Sequence, residues 1–184
     1  MCPPVPTTLL VTCASLVSSS ELGTSGAVAH RSAGLGGVAD HYLYLARHGE
    51  ALDEGELSET GRRQAKLLGR RMRETPLDAV WHSPLPRAAR TAALLGLPGV
   101  PVTAVEELGD YPPPLGGELP PVYAEFARQF SADDRAEGAR LAGAAIARFA
   151  VPAPEDRHDL LVTHNFLAAW FVCHALDAPA GGWA

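Results

Sequence analysis

The chain has 184 residues, of which 47% are hydrophobic and 20% charged, a composition that fits one globular domain and excludes a coiled coil or a collagen-like fibre. The net charge of −6 argues against nucleic-acid binding, which depends on clustered cations. No stretch approaches the roughly 20 apolar residues of a membrane span, so no membrane contact is expected. Cys2, Cys13 and Cys173 have no CxxC spacing, which favours a reducing compartment, and we expect a cytoplasmic protein.

The first 39 residues differ in composition from the rest of the chain. They carry only two charged side chains, Glu21 and Arg31, and show no sustained period of 2 or 3.6 residues. We therefore expect a flexible, disordered leader at 1–39 and a folded domain at 40–184. A secreted or lipid-linked protein is the alternative, and it would have a mature N-terminus near Cys13 or His30.

Strand and helix patterns alternate along the folded domain. Short apolar runs predict strands at 42–46, 78–82, 100–105 and 159–163. Caps, proline positions and apolar spacing predict helices or helical stretches at 59–74, 84–95, 119–130, 133–149 and 165–176. The Pro- and Gly-rich segment 112–117 is predicted to be a loop. This order indicates an α/β fold, a three-layer α/β/α sandwich with a mostly parallel central sheet.

Three motifs that carry chemistry follow predicted strands directly. Arg-His-Gly-Glu at 47–50 follows the first strand, and Thr-His-Asn at 163–165 ends the last. The segment 83–92 follows the second strand and places Arg87 in the first turn of a helix, where the helix dipole and the guanidinium both attract an anion. Open α/β sheets bind ligands at the carboxyl ends of their strands, so the three motifs predict one anion-binding site.

These motifs resemble those of the histidine phosphatase superfamily, which has the phosphoglycerate-mutase-like fold. The resemblance covers 41–184 and rests on Arg-His-Gly, the segment 57–65, the Ser-Pro-Leu-x-Arg-Ala-x-x-Thr-Ala run at 83–92 and the late Thr-His. It implies that His48 is the nucleophile that forms a phosphohistidine. It also implies that Arg47, Arg87 and His164 hold the phosphoryl oxygens, with Arg47 and His164 counted as catalytic too. Asn165 completes the expected phosphate-binding set.

Hydrolysis also needs a general acid to protonate the leaving oxygen. In similar proteins a Glu follows the third strand, and the candidates here are Glu106, Glu107 and Asp110. Val105-x-Glu107 best reproduces the family's apolar-x-Glu pattern, so Glu107 is the expected acid, while the other two stay open.

The resemblance implies a metal-independent phosphatase that hydrolyses a phosphomonoester without a cofactor. No His or Cys pair has helical ligand spacing such as HExxH, so no metal site is expected. The partner is a small phosphorylated substrate or a phosphoprotein. A short acidic loop at 53–56 stands where mutases carry a longer segment, which favours a phosphatase. A mutase-type phosphotransferase and a phosphate-binding or regulatory member with weak turnover remain alternatives. Similar proteins continue into a further strand, so we expect a domain truncated at its C-terminus.

Overall fold

The computed structural model describes residues 39–52, 55–112, 114, 124–125 and 127–178. The predicted leader, apart from Ala39, lies outside the described residues, as do most of the predicted loop at 112–117 and half of the predicted helix at 119–130. The described elements are β1 His41–Arg47, α1 Glu59–Met72, β2 Ala79–His82, α2 Pro86–Ala93, β3 Val102–Ala104, a 3-10 turn Glu106–Leu108, α3 Ala132–Phe149, β4 Arg157–Thr163 and α4 Asn165–Ala175. No helix in these ranges is long and apolar enough to cross a membrane.

The four strands form one parallel sheet in the order β1-β4-β2-β3. The last strand of the chain therefore inserts between the first two. Its register pairs Thr163 with Arg47 on one side and Val162 with His82 on the other. The carboxyl ends of β1, β4 and β2 consequently lie side by side at one edge of the sheet, which we call the catalytic edge.

Helices cover both faces of the sheet. Leu45 of β1 packs with Phe171 of α4 in one buried cluster, whereas Val80 of β2 packs with Leu68 of α1 in a second cluster on the other face. Consecutive residues of a strand point to opposite faces, so a central strand with both faces covered is apolar throughout. The segment 160–162 of β4 is fully buried for this reason. The three-layer α/β/α sandwich is confirmed.

The helix starts follow local hydrogen bonding. Ser58 caps α1 as predicted, because its Oγ accepts the backbone N–H of Gly61 at 3.0 Å. Helix α2 starts at Pro86 and not at Pro84 as expected, because Leu85 is extended and its N–H donates to Ser83 Oγ at 3.2 Å. Pro86 then occupies the first helical position, where its missing N–H has no cost.

The amino-terminal edge of the sheet holds a polar cluster of the buried His41 and Asp159 with the half-buried Trp81 and Arg157, which we call the basal cluster. Asp159 lies 2.9 Å from His41 Nε2 and accepts hydrogen bonds from Arg157 and from Trp81 Nε1. His41 Nδ1 lies 2.9 Å from the carbonyl oxygen of Val151. Both ring nitrogens thus face acceptors, an arrangement that favours the doubly protonated imidazolium. The hydrogen bond to Asp159 raises the pKa of His41 above 6.5 although burial opposes it.

Candidate active site

The catalytic edge brings together residues from all three sequence motifs. His48 follows β1, and its backbone N–H donates to Thr163 at 3.0 Å, which continues the pairing of β1 with β4. His164 follows β4 and precedes α4, with its ring centre 5.1 Å from that of His48. Arg87 reaches the same point from the first turn of α2. The predicted convergence of the motifs is therefore seen in the fold.

His48 is held in one tautomer by its two neighbours. Its Nδ1 lies 2.7 Å from the carbonyl oxygen of Gly49, and its Nε2 lies 3.2 Å from Arg87 Nε. A guanidinium nitrogen can only donate, so Nε2 carries the lone pair and Nδ1 the proton. Burial lowers the pKa of His48 below 6.5, the hydrogen bond to Gly49 opposes this, and the charges of Arg47 and Arg87 lower it further. The ring is neutral at pH 7, and its Nε2 lone pair accepts the hydrogen bond from Arg87.

Close backbone contacts fix the loop that carries His48. Gly49 N–H donates to Thr91 Oγ1 at 2.9 Å, and this hydroxyl donates to the Arg87 carbonyl at 2.7 Å, which ties the loop to α2. A side chain at Gly49 would collide with the backbone of Gly61 in α1, and one at Gly61 would collide with the backbone of Glu50. The two glycines let the loop approach α1 closely, and Thr91 fixes the position of the loop relative to Arg87.

One of the three candidate acids reaches this site. Asp110 Oδ2 accepts a hydrogen bond from Arg87 Nη2 at 2.6 Å and lies 3.6 Å from His164 Nδ1. Glu107 instead points towards α3, where its carboxylate accepts hydrogen bonds from Arg148 at 3.1 and 3.3 Å. Glu106 is exposed. The structure thus brings Asp110 to the histidines, and it does not bring Glu107, the acid expected from the sequence pattern.

The 3-10 turn explains why Glu107 and Asp110 point in different directions. Leu108 is fully buried, and its carbonyl accepts a hydrogen bond from Thr163 Oγ1 at 2.8 Å at the end of β4. With Leu108 directed into the core, Glu107 faces α3, while the chain after the turn returns Asp110 to the catalytic edge. A sequence pattern of one apolar residue and one Glu carries no information about this reversal.

His164 is 1% exposed, and its Nε2 lies 2.9 Å from Ser83 Oγ. Burial lowers the pKa of His164 to about 4, Asp110 opposes this, and the charges of Arg87, His48 and Arg47 add to the lowering. His164 is therefore neutral at pH 7. Its Nδ1 is buried and has no hydrogen-bond partner among the described residues. The contact with Ser83 was not anticipated from the sequence, although Ser83 belongs to the matched motif.

The remaining predicted ligands lie at the rim of the site. Arg47 is the last residue of β1 and is exposed, and Asn165 is the first residue of α4 and is also exposed. Neither makes a side-chain hydrogen bond or ion pair with another described residue. Arg47 still lies near enough for its charge to lower the pKa of both histidines. The described part of the chain contains no group of three or more His, Cys, Asp or Glu side chains that could hold a metal ion.

The sequence profile of the Histidine phosphatase superfamily (branch 1) matches residues 43–184. The chain belongs to this superfamily. One superfamily relative is the serine/threonine-protein phosphatase Pgam5, mitochondrial, of Drosophila mojavensis, which is 34% identical over 161 residues, or 77% of this chain and 53% of that protein. The chain spans about half the length of the curated relatives it matches.

Solved structures of other proteins share the fold. The α-ribazole phosphatase of Shigella flexneri matches with a TM-score of 0.57 and 21% identity, over 77% of this chain and 82% of that chain. The phosphoglycerate mutase of Plasmodium falciparum matches with a TM-score of 0.52 and 19% identity, over 77% of this chain and 72% of that chain. The phosphoglycerate-mutase-like architecture is confirmed.

The expected cytoplasmic location is wrong by this comparison, because the Pgam5 relatives are named as mitochondrial proteins. That expectation rested on cysteines without CxxC spacing. Unpaired cysteines indicate a reducing environment but do not distinguish one reducing compartment from another.

Proposed function

We propose that this superfamily member is a metal-independent phosphomonoesterase that works through a phosphohistidine at His48. The observation that carries the proposal is the Nε2 lone pair of His48, which lies 3.2 Å from Arg87 Nε and in the same pocket as the buried His164. A neutral imidazole is a competent nucleophile at pH 7, and phosphoryl transfer otherwise needs positive and hydrogen-bonding groups around the phosphoryl oxygens. These are the groups that surround His48.

The proposed first step is an in-line attack of His48 Nε2 on phosphorus. Arg47, Arg87, His164 and Asn165 hold the phosphoryl oxygens, and Arg87 exchanges its hydrogen bond with His48 for one with the substrate. The P–N bond forms as the ester P–O bond breaks, and the leaving oxygen takes a proton. Donors that lie ready for the charge of the transition state stabilise it without reorganisation.

We assign the proton transfer to Asp110, on its contacts with Arg87 and His164. In this proposal Asp110 is a carboxylate in the free protein, takes up a proton once Arg87 turns to the phosphoryl oxygens of the bound substrate, and gives that proton to the leaving oxygen. The resulting carboxylate then takes a proton from the water that attacks the phosphohistidine, and inorganic phosphate leaves as the P–N bond breaks. Glu107 is held by Arg148 on the side of α3 and would have to leave that ion pair to reach the histidines. Asp110 already lies beside them, and in this proposal Arg87 exchanges its contact with Asp110 for the phosphoryl oxygens.

The substrate class is proposed from the relatives. The Pgam5 proteins are named serine/threonine-protein phosphatases, which supports phosphoserine or phosphothreonine in a protein as the substrate. A small phosphorylated molecule is the alternative. Phosphopeptides and sugar phosphates of matched concentration would separate the two by their kcat/KM values.

The test is hydrolysis of an aryl phosphate by the full chain with a chelator present. We expect His48→Ala to lower kcat/KM at least about a thousandfold, since it removes the nucleophile. Acid-quenched wild type, but not this variant, should retain labelled phosphate on the protein. Loss of activity with chelator, or full activity of His48→Ala, would overturn the proposal. A folded but inactive chain whose melting temperature rises with phosphate would favour the phosphate-binding alternative.

The three candidate acids are separated by matched Asp→Asn and Glu→Gln variants. With an alkyl phosphate, whose leaving group needs a proton, Asp110→Asn should lower kcat by about a hundredfold or more. With an aryl phosphate bearing a nitro group the loss should be much smaller. Glu106→Gln and Glu107→Gln remove the same charge and should show no such dependence on the leaving group. A leaving-group dependence in Glu107→Gln alone would return the role to Glu107.

A further inference from the structure

Ser83 occupies an unusual position for a serine hydroxyl at the catalytic edge. It follows β2 directly, is fully buried, and its Oγ lies between two nitrogen atoms. The backbone N–H of Leu85 donates to this Oγ at 3.2 Å, and Nε2 of His164 lies 2.9 Å away on the other side. One lone pair of the hydroxyl is thus used by Leu85, and its proton is available for His164.

The direction of the hydrogen bond between Ser83 and His164 follows from hydrogen-bond satisfaction. If His164 Nε2 carried a proton and donated, the Ser83 hydroxyl would accept twice, and its own proton would have no acceptor among the described residues. A buried donor without a partner is unfavourable because it has lost its hydrogen bond with water. If Ser83 donates, both groups are satisfied, and the single proton of the neutral His164 ring resides on Nδ1.

The surroundings of Nδ1, on the opposite side of the His164 ring, independently favour a proton on this nitrogen. Nδ1 is buried without a hydrogen-bond partner in the described part of the chain, and Asp110 Oδ2 lies 3.6 Å from it. An N–H directed at a carboxylate is favourable, whereas a nitrogen lone pair directed there would be repelled. A phosphoryl oxygen bound beside His48 presents the same negative charge to this nitrogen.

We propose that Ser83 is a positioning residue that holds His164 in its Nδ1–H tautomer, so that a buried, uncharged imidazole donates a hydrogen bond to a phosphoryl oxygen. This inference rests on the proposed function. His48 has the same tautomer, but the roles of its two nitrogens are reversed. Its protonated Nδ1 donates to the Gly49 carbonyl, and its Nε2, which carries the lone pair, is the reactive atom. In His164 the lone pair is held by Ser83, and the proton faces the substrate.

An uncharged donor at this position has a chemical advantage. Arg47 and Arg87 already lower the pKa of His48. A third cation would add to the positive field around the nucleophile, and its charge would have to be desolvated in a buried site. A neutral N–H stabilises the charge that develops on the phosphoryl oxygens in the transition state and adds no net charge when the substrate is absent.

The direct test is histidine ring nitrogen NMR of the full chain labelled with 15N-histidine, with the His164 signals identified by their loss in His164→Gln. We expect wild-type His164 to be a single neutral Nδ1–H tautomer from pH 6 to 8. Finding the Nε2–H tautomer, or an imidazolium, in the wild type would overturn the proposal. This measurement needs no variant of Ser83, so it decides the matter even if Ser83→Ala fails to fold.

The kinetic test compares Ser83→Ala with Ser83→Thr, which keeps the hydroxyl. We expect Ser83→Ala to show a mixture of His164 tautomers and a kcat/KM for aryl phosphate lower by about ten- to a hundredfold, and Ser83→Thr to recover both. An unchanged tautomer with reduced activity, or an equal loss in Ser83→Thr, would reduce Ser83 to a packing role.

Failure of the proposed function gives a different result. Wild-type His164 would still be the Nδ1–H tautomer, but inorganic phosphate would not shift its ring signals and His48→Ala would lose no activity. Conversely, activity that depends on His48 together with an Nε2–H tautomer of His164 would leave the phosphatase proposal intact and contradict the role of Ser83 alone.

Discussion

The two edges of the sheet each hold a buried histidine, and the pKa values of the two histidines are shifted in opposite directions. His41 at the amino-terminal edge is 5% exposed and its pKa is raised, whereas His164 at the catalytic edge is 1% exposed and its pKa is lowered to about 4. Burial lowers the pKa of both. The pKa of His41 is nevertheless raised, because both of its ring nitrogens face acceptors. His164 instead faces the Ser83 hydroxyl and lies near the positive charges of Arg47 and Arg87, which lower its pKa further. The hydrogen bond with Asp159 outweighs burial at His41, whereas burial remains the largest influence on the pKa of His164.

The two edges also differ in charge balance, so we expect one to contribute to stability and the other to anion binding. In the basal cluster the Asp159 carboxylate has donors on both oxygens, so the charges satisfy one another and connect β1, β2 and β4. At the catalytic edge positive groups gather with Asp110 as their one described carboxylate partner, and this field attracts an anion. Substitutions at the two edges should therefore have separable effects.

The largest effect is expected from the catalytic edge. Arg87→Lys keeps the charge but loses the planar fork that contacts His48 and Asp110, so kcat/KM should fall by about a hundredfold or more while the melting temperature changes little. Arg90→Lys is the matched control one turn along α2, where the exposed side chain lies 3.6 Å from Glu56, and we expect kcat/KM within about twofold of wild type. Steady-state kinetics and thermal unfolding measure both, and equal losses in the two variants would contradict a specific role for Arg87.

The second effect is expected at the basal cluster. Asp159→Asn leaves the buried His41 cation without its counter-charge, so the free energy of unfolding should fall by about 3 kcal/mol. The kcat/KM of the folded fraction should stay within about threefold of wild type, because the cluster lies at the other edge of the sheet. Urea denaturation measures the loss. The exposed Glu155→Gln should cost less than about 0.5 kcal/mol. A large fall in kcat/KM for folded Asp159→Asn would show that the two edges are coupled.

The smallest effect is the pH dependence of stability. The folded-state pKa of His41 is raised above 6.5, so its contribution to stability is fully present below about pH 6.5 and is lost as the pH rises through the raised value. The free energy of unfolding of wild type minus that of His41→Gln should therefore decrease from pH 6 to pH 9. Urea denaturation across that range measures the difference. A difference that is constant, or that grows with pH, would mean that His41 is not charged in the folded protein.

Most of the fold could be read from the sequence because it depends on local signals. Strand and helix positions followed apolar periodicity, and the cap at Ser58 was identified from its residue type. The errors were small and local as well: Pro84 was expected inside α2, but the hydrogen bond between Leu85 and Ser83 delays the helix to Pro86. A proline suits the first turn of a helix, and two prolines two residues apart offer two starts between which only the backbone geometry chooses.

The sequence predicted which residues meet at the site, but not the hydrogen bonds among them. His48, Arg87 and His164 converge as expected, since each follows or adjoins the carboxyl end of a strand. The roles of Asp110 and Ser83 depend on where a loop returns and on which hydroxyl a ring nitrogen meets. Asp110 contacts Arg87 and His164 across 23 and 54 positions of sequence, and no spacing rule reports such a contact.

The sequence by itself determined the family, the α/β alternation and the identity of the residues at the strand ends, because residue type and periodicity report burial and local conformation. The tertiary structure alone decided the strand order that inserts β4 between β1 and β2 and so brings His164 beside His48. It also decided which carboxylate reaches Arg87 and which nitrogen of each histidine carries the proton. Those properties arise from hydrogen bonds between distant parts of the chain, and they exist only when the sheet has formed.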